Sequence, residues 1–182
     1  MERIKVNSNF YLDEFVDPYT YFNNNDNGLS LVDERLFQVA QLLRFHYMSP
    51  VYINNWWKLY LKYKDTRSIP HIIQIIEREN EKDNVNIWSG IRTSRCNIGS
   101  KLSAHKIQAD GKGMAIDPKG NELIFFLIVK NNAEVFYHLG VRRLEDISIT
   151  PGWLHIDLLE RNTKPNSIRV VDRTKSTKTL YF

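Results

Sequence analysis

The sequence predicts one α+β domain spanning residues 1–182, in which helices surround a small, mainly antiparallel sheet. Apolar residues recur every three to four positions in two segments, which is typical of amphipathic helices. Short β-prone runs end in turn signals, which is typical of strands. The length fits one domain with a sizeable core, and 42% hydrophobic and 12% aromatic residues are globular values.

Three helices are predicted. Asp33 caps the first, which ends near Met48. Ser68 begins the second, and a proline in the first turn is tolerated there. The apolar run 123–129 fits helix or strand by its pattern, and we predict helix.

Four short strands are predicted, at residues 85–89, 114–117, 141–147 and 153–158. The last two flank the turn signal Thr150-Pro151-Gly152. Residues 23–28 and 91–112 have loop composition. The motif-bearing core is therefore expected within residues 85–160.

Composition and charge exclude several protein classes. Lys and Arg number 25 against 21 Asp and Glu, a mild surplus of +4 that would suit approach to an anionic cell wall. No nucleic-acid motif accompanies this surplus, so we expect no nucleic-acid partner. No apolar run approaches the ~18 residues of a membrane span, and the first residues lack the apolar region of a signal peptide. The single cysteine, Cys96, leaves no intrachain disulfide and argues against a closed thiolate zinc site.

Two histidines and one aspartate lie in short motifs that indicate a metal site. The motifs are Ser103-Ala104-His105, Gly113-Met114-Ala115-Ile116-Asp117 and Trp153-Leu154-His155-Ile156-Asp157. Catalytic zinc sites use three protein ligands and keep one position open for water, whereas structural sites close the shell with four, mostly Cys. We therefore predict Zn²⁺ bound by His105, Asp117 and His155. His46, His71 and His138 are expected to be ordinary surface or core histidines.

These motifs, in this order, resemble the zinc D-alanyl-D-alanine carboxypeptidases and phage-type L-alanyl-D-glutamate endopeptidases, a VanY-like group. Ser89-Gly90-Ile91-Arg92-Thr93 resembles the family segment before the first ligand, and Thr150-Pro151-Gly152-Trp153 resembles the approach to the second histidine. The resemblance covers residues 89–157.

The resemblance implies a hedgehog/DD-peptidase fold and a hydrolase, specifically a metallopeptidase that cuts peptidoglycan stem peptides in cell wall degradation. It also implies a bacteriophage or prophage context, as an endolysin or a virion-associated protein. The expected location is the virion, or the host cytoplasm before release to the wall. Arg92 would stabilise charge on the scissile carbonyl or hold a substrate carboxylate.

Two departures from the family pattern concern the loop before Asp117 and the catalytic base. His105 and Asp117 are twelve residues apart rather than the usual seven, and residues 107–112 are expected to form a small extra loop. Gly152 stands where VanY-like members have a glutamate, so the base must lie elsewhere. Glu145, ten residues before His155, matches a glutamate at that spacing in phage-type members.

The register of the predicted hairpin leaves the choice of base open. A turn at residues 149–151 would place Glu145 opposite His155 on the same sheet face. A tighter turn at Pro151-Gly152 would instead place Asp146 opposite Asp157. Asp157 shares a face with His155 in either case and is a candidate to orient the imidazole.

An alternative function is a non-catalytic, zinc-containing module that binds cell walls or serves as a structural virion component. The aromatic cluster Trp56, Trp57, Tyr60 and Tyr63 is expected in the core, with a sugar-binding groove as the alternative. The basic stretch 169–178 is expected to be solvated surface.

Overall fold

The computed structural model describes residues 2–82, 85–92, 103–160, 163–172, 174 and 177–182. Within these ranges the chain forms six α-helices and one five-stranded mixed sheet, so the α+β class is confirmed. None of the described helices is long and apolar enough to cross a membrane. The residues group into two compact units, Met1–Val32 with Ile53–Gly113 and Asp33–Tyr52 with Met114–Phe182. The one-domain organisation stays a prediction.

The elements follow the chain in a simple order. The helices are α1 Pro18–Asn24, α2 Arg35–Tyr47, α3 Trp57–Tyr63, α4 Ile69–Glu81, α5 Glu122–Asn131 and α6 Ala133–His138. Short 3-10 helices cover Leu12–Glu14 and Asn25–Leu31. The strands are β1 Ala115–Ile116, β2 Arg143–Glu145, β3 Ile156–Asp157, β4 Ser167–Val171 and β5 Thr177–Tyr181.

The first unit packs α1, α3 and α4 around an aromatic core. Trp56, Trp57 and Tyr60 are buried, and the rings of Trp56 and Tyr21 meet edge to face at 5.6 Å. The core-packing interpretation of these three residues is therefore confirmed. Helix α4 begins after Ser68 as predicted, with a proline in its first turn.

Two sequence predictions in this unit are wrong. Residues 23–28 are helical: the first two end α1, whose start is capped by Asp17 through the backbone N–H of Thr20, and the others belong to the 3-10 helix Asn25–Leu31. Residues 85–89 form no strand, because their backbone N–H groups donate hydrogen bonds to asparagine side-chain oxygens instead of to a neighbouring strand. Ser89 N–H donates to Asn54 Oδ1 at 3.1 Å, and Asn86 N–H donates to the side chain of Asn55 at 2.7 Å.

The second unit contains α2, α5, α6 and the sheet, whose strand order is β1-β3-β2-β4-β5. The sheet is mixed, since β2 and β4 run parallel while the other neighbours are antiparallel. The predicted helix at 123–129 is confirmed as α5. The basic stretch 169–178 is not simply solvated surface. Its described residues contribute to β4 and β5, and Val170 is buried.

Candidate metal centre

His155 immediately precedes β3, the middle of three neighbouring strands, and lies between a carboxylate residue on each side. Ala115 pairs with Asp157 and Ile116 with Ile156, so Asp117 follows opposite His155. On the other side Arg143 pairs with Asp157, and Glu145 N–H donates to the His155 carbonyl at 3.2 Å. Directly paired residues project from the same face of a sheet. Asp117, His155, Glu145 and the pair Arg143–Asp157 therefore share one face.

Both nitrogens of the His155 imidazole contact buried carboxylates. Nδ1 lies 2.8 Å from Asp117 Oδ1, and Nε2 lies 3.1 Å from Asp157 Oδ2. Burial by itself lowers the pKa of His155, but the hydrogen bonds and charges of the two carboxylates outweigh burial and raise the pKa to about 10. Burial would raise the pKa of Asp157, yet the bonds and charges of His155 and Arg143 hold that pKa below its usual range.

Arg143 contacts three of these residues at once. Its Nε donates to Asp157 Oδ2 at 2.6 Å, and its Nη2 lies 3.0 Å from His155 Nε2. The same Nη2 is 3.5 Å from Glu145 Oε1. Arg143 therefore fixes Asp157 directly and holds Glu145 beside the imidazole.

His105 is held in the first unit by the backbone of Gly90. Its Nδ1 lies 2.8 Å from the Gly90 carbonyl oxygen, and because a carbonyl only accepts, this nitrogen carries the proton. In the neutral imidazole Nε2 is then the nitrogen with the lone pair, which a metal ligand needs. Gly90 cannot carry a side chain at this place, because a Cβ would lie 2.1 Å from the carbonyl oxygen of Phe15.

One potential ligand atom from each of His105, Asp117 and His155 lies within 4.8 Å of the others, and all three residues are buried. Two imidazoles and one carboxylate suit zinc. Each imidazole also contacts an oxygen of the kind that orients metal-bound histidines, from Gly90 for His105 and from Asp157 for His155. The carboxylates of Asp117 and Asp157 are buried and lie within 3.1 Å of the His155 ring nitrogens, and buried negative charge of this kind favours a divalent cation. This group could hold a metal ion.

The other predicted site features have definite positions. The Arg92 backbone N–H donates to the His105 carbonyl at 2.7 Å, and Arg92 Nε donates to the Trp88 carbonyl at 2.7 Å. Residues 107–112 form a small loop closed by a 2.8 Å bond from Gln108 N–H to Lys112 O, as predicted. The three remaining histidines, His46, His71 and His138, are exposed. Cys96 and Thr93 lie outside the described residues.

Gly152 has a structural reason to be glycine. Trp153 N–H donates to the Thr150 carbonyl at 3.2 Å and closes a turn in which Gly152 has a φ of +91°. A turn with proline in its second position and a positive φ in the third favours glycine in that third position. A glutamate at residue 152 would be strained at this φ.

Arg143 is the site residue that sequence reasoning missed. Its signal was the i, i+2 spacing to Glu145 within a predicted strand, which places both side chains on one face. The predicted contact of Asp157 with the His155 imidazole is confirmed by the 3.1 Å distance between Nε2 and Oδ2. Comparisons of the chain with protein-family models, with curated proteins and with solved structures found no match.

Proposed function

We propose that this protein is a zinc-dependent metallopeptidase that hydrolyses peptide bonds in bacterial peptidoglycan stem peptides. The observation that carries the proposal is the buried group His105, Asp117 and His155, whose ligand atoms lie within 4.8 Å of one another. A zinc ion held there would polarise a scissile carbonyl and lower the pKa of a water to about 7.

Glu145 is the proposed general base. Its side chain is 25% exposed, whereas those of His155 and Asp117 are each 7% exposed. The Glu145 carboxylate is therefore more accessible to substrate and solvent than the side chains of the neighbouring ligands. It would accept a proton from the attacking water and pass it to the leaving amine. The 3.5 Å contact with Arg143 keeps the carboxylate beside the imidazole of His155.

Asp157 and Arg143 would orient a proposed ligand, and Arg92 would act on the substrate. Asp157 and Arg143 hold the His155 ring on the side away from Asp117, so that Nδ1 faces Asp117. Arg92, whose backbone is bonded to that of His105, would contribute positive charge toward a substrate carbonyl or carboxylate.

The substrate class is inferred from the ordered motifs rather than from the metal group. The segments around Gly90, His105, Asp117 and His155 resemble peptidoglycan peptidases in sequence. We extend the proposal to a hedgehog/DD-peptidase fold and to a phage or prophage endolysin or virion-associated protein on the same ground. The mild positive charge of +4 is compatible with approach to an anionic wall.

The test combines metal content with product analysis. We expect the purified protein to contain about one zinc ion per chain, consistent with a three-ligand site. Muropeptides should be cleaved by the wild type, uncleaved with a chelator present, and cleaved again after zinc is restored, as read by mass spectrometry. His105→Ala should lose both zinc and cleavage, and His138→Ala, at a histidine 70% exposed, is the matched control.

Two other outcomes would reject the enzyme assignment. If the wild type binds zinc through His105 yet releases no new amines from peptidoglycan, the protein is the non-catalytic zinc module. If His105→Ala and the wild type have the same metal content, the group does not bind the ion and the proposal fails.

A further inference from the structure

Lys119 lies in a row of three residues that continues the sheet face carrying Asp117 and His155. Lys119 and Trp153 form an antiparallel bridge, and so do Lys119 and Tyr52. The Lys119–Tyr52 pair is tied by two backbone bonds, Lys119 N–H to Tyr52 O at 2.6 Å and Tyr52 N–H to Lys119 O at 3.3 Å. Tyr52, Lys119 and Trp153 therefore stand side by side, with the cation in the centre.

The register places this row on the same face as the proposed metal ligands. The pairing Ala115–Asp157 continues to Asp117–His155 and then to Lys119–Trp153, in steps of two residues. Pro118 and Leu154 lie between the last two of these pairs. Leu154 N–H donates to the Pro118 carbonyl at 3.1 Å, and both residues are buried on the opposite face. Because side chains alternate along a strand, Lys119 and Trp153 project beside Asp117 and His155.

The chemistry of the row suits an anionic peptide. The ammonium Nζ of Lys119 lies 5.8 Å from the centre of the Trp153 ring, within the range of a cation–π contact. Tyr52 is 53% exposed, and Lys119 and Trp153 are half-buried. The same face carries the acidic Asp117, Glu145 and Asp157 together with the basic Arg143, and Lys119 adds a positive charge beyond Asp117.

We propose that Lys119, flanked by Tyr52 and Trp153, binds a carboxylate of the substrate peptide. This inference rests on the proposed function and names a specificity-determining residue for it. Two residues along a strand span roughly 7 Å. An extended peptide covers that distance in about two residues, so the carboxylate should lie within about two residues of the scissile bond. The aromatic rings would pack against the apolar parts of the peptide on either side of the carboxylate.

The experiment compares three forms of a synthetic stem pentapeptide: unmodified, amidated at the glutamate carboxylate, and amidated at the C-terminal carboxylate. For the Lys119→Gln protein we expect KM for the unmodified peptide to rise about 10- to 100-fold, because one charged hydrogen bond to the substrate is lost. We expect kcat to be nearly unchanged. The peptide lacking the bound carboxylate should be cleaved equally by wild type and Lys119→Gln. Lys119→Arg should recover most of the affinity.

A binding measurement separates this inference from the proposed function. The dissociation constant of the unmodified pentapeptide is measured by Trp fluorescence with chelator present, where no cleavage is expected. Lys119→Gln should weaken binding by a similar factor, while Lys130→Gln, an exposed lysine of α5, should not. A uniform KM change on all three peptides, or unchanged binding, would overturn the role of Lys119. If the wild type cleaves no peptide but binds it through Lys119, only the proposed function fails.

Discussion

The backbone N–H of Glu145 donates to the carbonyl oxygen of His155 at 3.2 Å, which fixes the register between β2 and β3. Of the two registers that the sequence allowed, this is the one that places Glu145 opposite His155. Asp146 is directed elsewhere, since its N–H donates to the Val171 carbonyl and its carboxylate accepts the N–H of Ser148. The register therefore favours Glu145 over Asp146 as the proposed base.

Replacing Glu145 should separate catalysis from metal binding. Glu145→Gln keeps the size of the side chain but removes the proton acceptor, so kcat should fall roughly 100- to 10,000-fold while zinc content is retained. Steady-state kinetics on a stem peptide and metal analysis provide the two measurements. Asp146→Asn is the matched control and should keep near-normal kcat. A large loss in Asp146→Asn with full activity in Glu145→Gln would contradict the assignment.

Arg143 is predicted to act on the metal group through Asp157. Arg143→Met leaves the buried Asp157 without its 2.6 Å charge-assisted bond, so the imidazole of His155 is less well oriented. We expect the zinc dissociation constant to rise about 10- to 100-fold, measured by competition with a chromogenic chelator. Arg143→Lys should recover part of the affinity. Arg142→Met is the control, because Arg142 pairs with Glu160 at 3.1 Å. Equal effects of Arg142→Met and Arg143→Met would indicate a general structural role instead.

Gly90 is predicted to tolerate no side chain. The Cβ of Gly90→Ala would lie 2.1 Å from the Phe15 carbonyl oxygen, so the backbone must shift and carry the His105 acceptor with it. The free energy of unfolding should fall by about 1–3 kcal/mol, measured by denaturant titration. Gly28→Ala is the control, since the nearest atom to its Cβ would be a side-chain methyl of Leu12 at 3.1 Å, and no backbone atom of the described residues outside its own helix lies within 4 Å. A Gly90→Ala protein as stable as the wild type would show that the Phe15 segment can move.

Asp17 is predicted to make stability depend on pH. Burial raises the pKa of Asp17 above its usual value despite the hydrogen bonds from Thr20. Since the folded state then holds this proton more tightly than the unfolded state, the contribution of Asp17 is fully present below the unfolded pKa of about 3.9. That contribution is lost as the pH rises through the higher folded pKa.

The measurement for Asp17 is the free energy of unfolding of the wild type and of Asp17→Asn across the acidic range. Asparagine keeps an oxygen acceptor for the Thr20 N–H but does not titrate in this range. The wild type should lose stability relative to Asp17→Asn as the pH rises through the folded pKa of Asp17. A difference between the two proteins that is constant with pH would refute the prediction.

Local pattern predicted part of the fold well. The correctly predicted elements include helix α4, which begins after Ser68, helix α5, and strand β1, which ends just before Asp117. Each of them depends on periodicity and capping within one segment. Prediction of secondary structure and strand pairing failed where hydrogen-bond partners distant in the sequence determine the conformation. Residues 85–89 have strand composition, yet Asn54 and Asn55 take their backbone donors. The β4 strand lies beside β2 in parallel, a pairing that a local pattern does not reveal.

Short motifs in the sequence are sufficient to predict imidazole and carboxylate ligand atoms at His105, Asp117 and His155, because the residue type fixes the ligand atom. The groups that surround these three residues depend on contacts between distant segments. Strand register placed Glu145 and Asp117 on either side of His155 and brought Arg143 against Asp157. A shift of β2 by one residue against β3 would turn Arg143 and Glu145 to the opposite face, and neither strand alone contains the information that prevents it.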